Sequence, residues 1–254
     1  IECGFTGPKY YGKCPRCQNW NSMVEVNETP AGGEDKIPNV KARKITEIKD
    51  EQVQRTTIDF PEFNRVLGGG IVDQSVILIG GEPGIGKSTL LLQTAQKLTE
   101  RDKRVLYFSG EESQNQITMR ARRLSINTDQ IYLLSMGTME DIKQAVEEIR
   151  PRYLIIDSIQ TLNSRAVKKL SGSISALRFV TSELTELAKK NDLAVFIIGH
   201  ITKEGQIAGP KSLEHMVDVV LYFESESASD LRILRAQKNR FGPVNELGIF
   251  QMTA

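Results

Sequence analysis

The sequence predicts an α/β domain with a mainly parallel β-sheet and helices on both of its faces, and three observations lead to that fold class. From about Thr56 onward, short apolar runs alternate with amphipathic helical patterns, which is typical of βαβ units. A glycine-rich loop follows the first apolar run, residues 76–79. A later run, residues 153–156, is followed directly by an acidic residue, and open α/β sheets bind ligands at the carboxyl ends of their strands.

The apolar runs predict the order of strands. The first strand is followed by Leu90, Leu91, Ala95 and Leu98 at helical spacing, which indicates a helix directly after the loop. Further strands are predicted at residues 105–108, 131–134, 153–156, 194–198 and 217–223, and a closing antiparallel pair at 231–237 and 248–252. Helices are expected between most of these strands, including one over residues 113–124.

Composition excludes several classes of protein. The 254 residues are 39% hydrophobic and carry a formal charge of +1, which suits a globular core with a small appendage. No apolar run approaches the roughly 18 residues of a membrane span, and no signal pattern opens the sequence. We therefore expect a cytoplasmic protein with no membrane partner. The near-neutral charge disfavours a globally basic nucleic-acid coat but allows local basic loops.

The cysteines predict a small metal-binding domain over residues 1–26. All three lie in the first 17 residues, and Cys14 and Cys17 have the spacing with which two thiolates meet one tetrahedral ion. With Cys3 they supply three ligands of a four-cysteine zinc knuckle, whose first cysteine is expected just before the sequence begins. A redox pair or incidental thiols are the alternatives. Residues 27–55, rich in Pro, Gly, Glu and Lys, predict a linker, and residues 56–254 form the main domain.

The loop after the first strand fits the pattern GxxxxGK[ST] and predicts a site for ATP and Mg²⁺. The predicted nucleotide-binding residues are Gly81, Glu82, Pro83, Gly84, Ile85, Gly86, Lys87, Ser88 and Thr89. Lys87 is expected to contact the β and γ phosphates, Ser88 to bind magnesium, and Thr89 to lie near the α phosphate. A simple strand-to-helix turn is the alternative, but it does not call for Lys and Ser after the last glycine.

Asp157 is predicted to be the second magnesium residue. It follows the apolar run 153–156, which makes it a Walker B pattern, and it would hold the ion through Ser88 or a water molecule. A cap for the following segment is the other interpretation of an acid at this place.

Glu111 is the candidate base that orients and deprotonates water. It follows the strand predicted at residues 105–108 and would reach the same edge of the sheet. Glu112 is the adjacent competitor, because only one of two neighbouring residues is expected to point at the nucleotide. Both acids could instead serve the amino end of the helix predicted at 113–124.

Several segments resemble the RecA-type ATPases, and more narrowly the RadA (Sms) family of bacterial DNA-repair ATPases. The segments that carry the resemblance are Cys3, GKCPRC at 12–17, Trp20-Asn21, FNRVLGGG at 63–70, GIGKST at 84–89, SGEES at 109–113, LEHMVD at 213–218 and KNRFG at 238–242. The last pentapeptide is close to a signature of the family. The sequence departs from the family in lacking the first knuckle cysteine, in having Val72-Asp73-Gln74 where a Pro-Gly turn is usual, and in lacking a Lon-protease-like domain after Ala254.

The resemblance implies a RecA-like P-loop NTPase core, a hexameric ring on single-stranded DNA, branch migration of recombination intermediates, and a RecA-like recombinase as partner. It also implies roles for three further residues. His200 resembles a γ-phosphate sensor, although a structural histidine is the alternative. Lys238 and Arg240 resemble fingers that enter a neighbouring subunit's site, although solvated strand-end cations are common.

Two predicted loops, Asn163 to Ser175 and Thr202 to Lys211, resemble the DNA-facing loops of RecA-type proteins. Their basic residues are Arg165, Lys168, Lys169, Lys203 and Lys211. The loops contain no aromatic residue to stack on bases, so they predict binding that does not depend on sequence, or simple solvation.

Two other functions stay open from the sequence. One is an ATP-gated binding or scaffold module with slow or no hydrolysis, which would have no need of Glu111 as a base. The other is a RecA-fold kinase or clock-type ATPase unrelated to DNA, which the segment at 238–242 and the cysteine knuckle make less favourable.

Overall fold

The computed structural model describes residues 44, 46, 54–166, 173–200, 212–225 and 230–252. The chain divides into two units, Ile1–Glu51 and Gln52–Ala254, and nearly all described residues belong to the second. The predicted cysteine knuckle and most of the predicted linker lie outside the described residues. None of the helices in the described ranges combines the length and apolar content of a membrane span.

The second unit is an eight-stranded sheet in the order β10-β9-β8-β3-β7-β6-β4-β5, with a two-stranded sheet of β1 and β2 beside it. The strands are β1 (Arg55–Thr56), β2 (Ile71–Val72), β3 (Val76–Gly81), β4 (Val105–Ser109), β5 (Ile131–Ser135), β6 (Tyr153–Asp157), β7 (Ala194–His200), β8 (Val219–Ser225), β9 (Leu231–Asn239) and β10 (Leu247–Gln251). The helices are α1 (Pro61–Val66), α2 (Lys87–Thr99), α3 (Gln114–Arg123), α4 (Met139–Ile149) and α5 (Ile174–Asn191).

The sheet is parallel from β8 through β5, and β9 and β10 close it as an antiparallel pair. The predicted fold class, its strands and the closing pair are therefore confirmed. Several boundaries differ by one or two residues, and β8 begins at Val219 rather than at 217. The carbonyl of Val217 accepts a hydrogen bond from the Lys238 ammonium at 2.7 Å, so it faces a side chain instead of a neighbouring strand.

Alternating side chains of the buried strands build one core on each face. In β3, Ile77 and Ile79 belong to the cluster that contains Leu91 of α2, whereas Val76 and Leu78 belong to the other cluster. The second cluster also contains buried residues of α4 and α5. Helices therefore cover both faces, as the period-2 pattern of the strands requires.

Local signals in the sequence set the amino ends of the helices. The Ser113 hydroxyl accepts a hydrogen bond from the Gln116 N–H, and the Gln116 side chain accepts one from the Ser113 N–H. Thr138 and Asp141 make the same reciprocal arrangement at the start of α4. Capping boxes of this kind satisfy donors that the first helical turn leaves free.

Val72-Asp73-Gln74 stands where the family that the sequence resembles usually has a Pro-Gly turn. Side chains at the amino edge of the sheet hold this segment. Gln74 has a positive φ of 59°, which a glycine would adopt with less strain. Its side-chain amide donates to Asp192 Oδ1 at 2.8 Å, and Arg152 forms ion pairs with both Asp73 and Asp192. These contacts link the starts of β3, β6 and β7, so the turn is supported without the usual residues.

Candidate functional site

The glycine-rich loop connects β3 to α2, as predicted, and glycines are needed there for two different reasons. Gly86 caps the helix with a φ of 110°, a conformation that side chains with a Cβ rarely adopt. Gly81 lies so close to β8 that an added Cβ would be 2.5 Å from the Phe223 carbonyl oxygen. The loop can therefore hold this shape only with glycine at both places.

Lys87, the first residue of α2, points back into its own loop. Its ammonium donates to the carbonyl oxygens of Gly81 at 2.7 Å and Glu82 at 2.8 Å. Burial of the side chain lowers the pKa of Lys87 to about 8, although the charges of Asp157, Glu111 and Glu82 oppose that change. The ammonium is the group here that attracts an anionic ligand such as a phosphate, and a bound anion would in turn favour its charged form.

A cavity of about 370 Å³ opens beside this loop. Its lining residues are Pro83, Gly84, Gly86, Lys87, Ser88, Thr89, Ser109, Glu111, Glu112, Arg120, Arg123, Asp157, His200 and Met252. The carboxyl ends of β3, β4, β6 and β7 thus bring together residues that are more than 100 positions apart in the chain. The cavity gathers residues of the predicted phosphate loop, both candidate bases, the predicted Walker B residue and the predicted sensor.

Asp157 ends β6 and is almost completely buried, with 7% of its surface exposed. Its Oδ2 accepts a hydrogen bond from the Tyr107 hydroxyl at 2.7 Å. Burial is the main cause that raises the pKa of Tyr107 well above its usual value, and the negative charge of Asp157 is the second. The phenol therefore keeps its proton and stays a donor to the carboxylate.

Tyr107 was not among the residues predicted from the sequence. The signal was present, because a tyrosine inside an otherwise apolar strand needs a partner for its hydroxyl when it is buried. The identity of that partner depends on the pairing of β4 with β6, which the sequence does not reveal.

The two candidate bases have different surroundings. Glu111 Oε1 accepts a hydrogen bond from the Ser158 hydroxyl at 2.6 Å and lies 3.3 Å from His200 Nε2. The Glu112 carboxylate instead forms an ion pair with Arg120, whose charge competes for the oxygen that a base must offer to water. The two carboxylates therefore differ in their partners, and the role of Glu111 as the base stays a prediction.

His200 is the last residue of β7, and 27% of its side chain is exposed. Its carbonyl oxygen accepts a hydrogen bond from the Gln160 side chain at 3.3 Å. His200 and Ser158 thus both lie next to the same carboxylate oxygen of Glu111. Residues 201–211, which follow His200, lie outside the described residues.

The two predicted fingers differ in their freedom. The Lys238 ammonium donates to the carbonyl oxygens of Glu214 and Val217 at 2.8 and 2.7 Å, and burial lowers its pKa. Arg240 forms an ion pair with Asp218 at 2.9 Å, but 55% of its side chain is exposed. Within this chain neither residue lines the cavity, so a role at a catalytic site requires a second subunit.

Of the predicted DNA-contacting residues, the structure describes Arg165. Its side chain is 68% exposed and pairs with Asp141 at 2.8 Å, while its backbone N–H donates to both carboxylate oxygens of Glu140. Lys168, Lys169, Lys203 and Lys211 lie outside the described residues.

The donor set around the cavity fits Mg²⁺ in the manner of nucleotide-binding loops. In the part of the chain that the structure describes, no group of three or more His, Cys, Asp or Glu residues could hold a metal by itself. A magnesium ion bound with a nucleotide needs no such group, since phosphate oxygens and waters fill most of its positions. The Ser88 hydroxyl and the Asp157 carboxylate, both at this cavity, are the hard oxygen ligands that the ion prefers.

Comparison with known proteins agrees with this geometry. A family profile described as an AAA domain matches residues 42–206, and one described as a rubredoxin metal binding domain matches residues 2–25. The second match confirms the predicted metal-binding domain at the start of the sequence. The ligands proposed for it, Cys3, Cys14 and Cys17, lie outside the described residues.

The chain is also similar to several curated proteins called DNA repair protein RadA. It is 51% identical to the one from Streptococcus pyogenes serotype M6 over 99% of this chain and 56% of the relative. The corresponding values are 49%, 99% and 56% for the protein of Bacillus subtilis, and 48%, 98% and 56% for that of Listeria monocytogenes serovar 1/2a. The chain thus spans about half the length of the curated relatives that it matches.

Proposed function

The chain belongs to the AAA domain family, and its sequence identity to RadA repair proteins is about 50%. We therefore propose that it binds Mg-ATP and hydrolyses it. The observation that carries this proposal is the cavity in which Lys87, Ser88, Glu111 and Asp157 meet. A phosphate-binding loop alone would support binding. The addition of Glu111, whose carboxylate accepts a hydrogen bond from Ser158 and lies 3.3 Å from His200 Nε2, supports hydrolysis.

In this proposal the backbone N–H groups of the loop and the amino end of α2 bind the phosphates. The Lys87 ammonium leaves the carbonyls of Gly81 and Glu82 and neutralises charge on the β and γ phosphates. Glu111 takes the proton of the attacking water, while the Ser158 hydroxyl and His200 hold its Oε1. The other carboxylate oxygen of Glu111, Oε2, is then available for the proton of the water.

Ser88 and Asp157 would hold magnesium, which when bound neutralises the charge that develops on the phosphate oxygens. A zinc ion held by Cys3, Cys14 and Cys17, with a fourth ligand, belongs to the same proposal. It follows from the matched metal-binding domain and the preference of zinc for thiolates.

The finer function follows from the similarity to RadA. We propose that ATP hydrolysis drives movement on single-stranded DNA during branch migration of recombination intermediates, beside a RecA-like recombinase. The same similarity implies a hexameric ring in which Arg240, whose side chain is 55% exposed, reaches a neighbour's site. Arg165 and the lysines at 168, 169, 203 and 211 would contact DNA phosphates. Work on chromosomal DNA would place the protein in the bacterial cytoplasm.

ATPase assays with and without single-stranded DNA test this function. The proposal expects turnover that DNA stimulates at low salt and that falls as salt weakens phosphate contacts. Lys87→Ala should abolish nucleotide binding. Absence of DNA stimulation at low salt would count against the DNA-dependent motor while leaving the ATPase in place.

The alternative of an ATP-gated scaffold is separated by Glu111. If Glu111→Gln leaves the rate of phosphate release unchanged, the carboxylate is not a base and the scaffold is favoured. A loss of about 100-fold or more, the usual contribution of general base catalysis, supports the hydrolase. The contacts of Glu111 with Ser158 and His200 favour the second outcome.

A further inference from the structure

We propose that Tyr107 is a positioning residue that fixes the Asp157 carboxylate for magnesium. This role rests on the proposed ATPase function, because it has meaning only if the cavity binds Mg-ATP. Its basis is the 2.7 Å hydrogen bond from the Tyr107 hydroxyl to Asp157 Oδ2. The Tyr107 hydroxyl does not touch the nucleotide in this proposal and acts through the carboxylate.

The register of two neighbouring strands creates this contact. β4 pairs with β6 so that Ser109 lies opposite Asp157 and Tyr107 lies opposite Ile155. Tyr107 is therefore two residues below the edge of the sheet, and its long side chain extends along the same face toward the end of β6. The ring packs in the cluster that includes Ile155 and Leu91, so its direction is set by the core.

Burial makes the hydrogen bond necessary for both partners. Tyr107 is 1% exposed and Asp157 is 7% exposed, so little water can reach either polar group. A buried hydroxyl or carboxylate without a partner is strongly disfavoured. Each group therefore depends on the other when no ligand is present.

The hydrogen bond also decides which carboxylate oxygen remains for a metal. The terminal torsion of an aspartate is soft and allows many orientations of the carboxylate. The Tyr107 hydroxyl engages Oδ2, and among the described residues no hydrogen-bond donor reaches Oδ1. Because Asp157 lines the cavity and its Oδ2 is engaged, Oδ1 is the oxygen left for the ion or for its water in this proposal.

Magnesium demands near-ideal geometry, so loss of this orientation should weaken its binding. Hydrogen-bond partners of metal ligands typically contribute roughly 10- to 100-fold to metal affinity or activity. We expect Tyr107→Phe to raise the Mg²⁺ concentration for half-saturation by about tenfold, the lower end of that range, because the ring that holds the surrounding packing is kept.

The experiment titrates Mg²⁺ into the purified full chain with a fluorescent, non-hydrolysable ATP analogue and measures nucleotide binding. The same analogue is titrated in excess EDTA. Tyr222→Phe is the matched control, since its hydroxyl also donates to a carboxylate, that of Glu214, away from Asp157. Circular dichroism and thermal melting verify that both variants fold.

Tyr107→Phe should bind the analogue as wild type does in EDTA and require about tenfold more Mg²⁺, whereas Tyr222→Phe should match wild type in both titrations. In an Asp157→Asn background, Tyr107→Phe should add nothing further. Coincident Mg²⁺ curves for Tyr107→Phe and wild type would overturn the inference, as would an equal loss of affinity in EDTA. If the wild-type chain binds no analogue at all, the proposed function fails instead.

Discussion

The position of the Lys87 ammonium predicts that nucleotide binding takes up a proton at mildly alkaline pH. In the ligand-free chain this side chain is 3% exposed and its pKa is about 8 because of burial. A bound triphosphate brings negative oxygens next to the ammonium, which favours its charged form. We expect binding to return the pKa of Lys87 toward its ordinary value of 10.5.

The size of the effect follows from these two values. At pH 8.5, a group with a pKa of about 8 is deprotonated in about three-quarters of the molecules. With its ordinary pKa it would be almost fully protonated, so binding should take up about 0.75 proton per nucleotide. At pH 7 the expected uptake is only about 0.1 proton.

Calorimetry with a non-hydrolysable ATP analogue in two buffers of different ionisation enthalpy measures this uptake. A phosphate with a second pKa of about 6 is almost fully deprotonated at pH 8.5, so it does not mask the lysine at that pH. The dissociation constant should rise with pH above 8 as the ammonium loses its proton. Equal uptake at pH 7 and pH 8.5, or none at either, would refute the link between the burial of Lys87 and phosphate binding.

Three further predictions concern residues around the same edge of the sheet. Glu111→Gln should keep nucleotide affinity but lower steady-state ATP turnover by at least about 100-fold. Glu112→Gln should retain most of the activity. Equal losses in the two variants would contradict the assignment of the base. Arg240→Ala should lose DNA-stimulated turnover, an effect of roughly 10³-fold or more for a finger residue, with binding of ATP unchanged in a filter assay; full turnover would remove that role. Gly110→Ala should lower the free energy of unfolding by about 1–3 kcal/mol, because the added Cβ would lie 1.9 Å from Thr161 Oγ1. A melting temperature equal to that of wild type would show that Thr161 can move away freely.

The strands could be predicted because each carries its own signal. Buried parallel strands are continuous apolar runs, and β3, β4 and β6 are each buried at every position. Their observed bounds extend the predicted ones by one or two residues at the carboxyl end, where polar residues such as Ser109 and Asp157 still take part in the ladder.

The glycine-rich loop was recognisable for a related reason. Its chemistry is confined to a short segment, and the residue types are those that a phosphate requires. Lys87 and Ser88 follow directly after a glycine in a left-handed conformation, so backbone geometry and side chains are specified together. The contacts of the Lys87 ammonium with its own carbonyls were not foreseen, because they depend on the folded path of the loop.

The sequence alone determined the fold class, the phosphate loop, the metal-binding domain at the start and the acidic candidates at the strand ends, since local pattern and residue type suffice for these. Only the tertiary structure decided how the candidates are paired: Glu111 with Ser158 and His200, Glu112 with Arg120, and Asp157 with Tyr107. Such pairings join residues far apart in the chain. They depend on strand order and register, which arise from the packing of the whole sheet and leave no trace in any single segment.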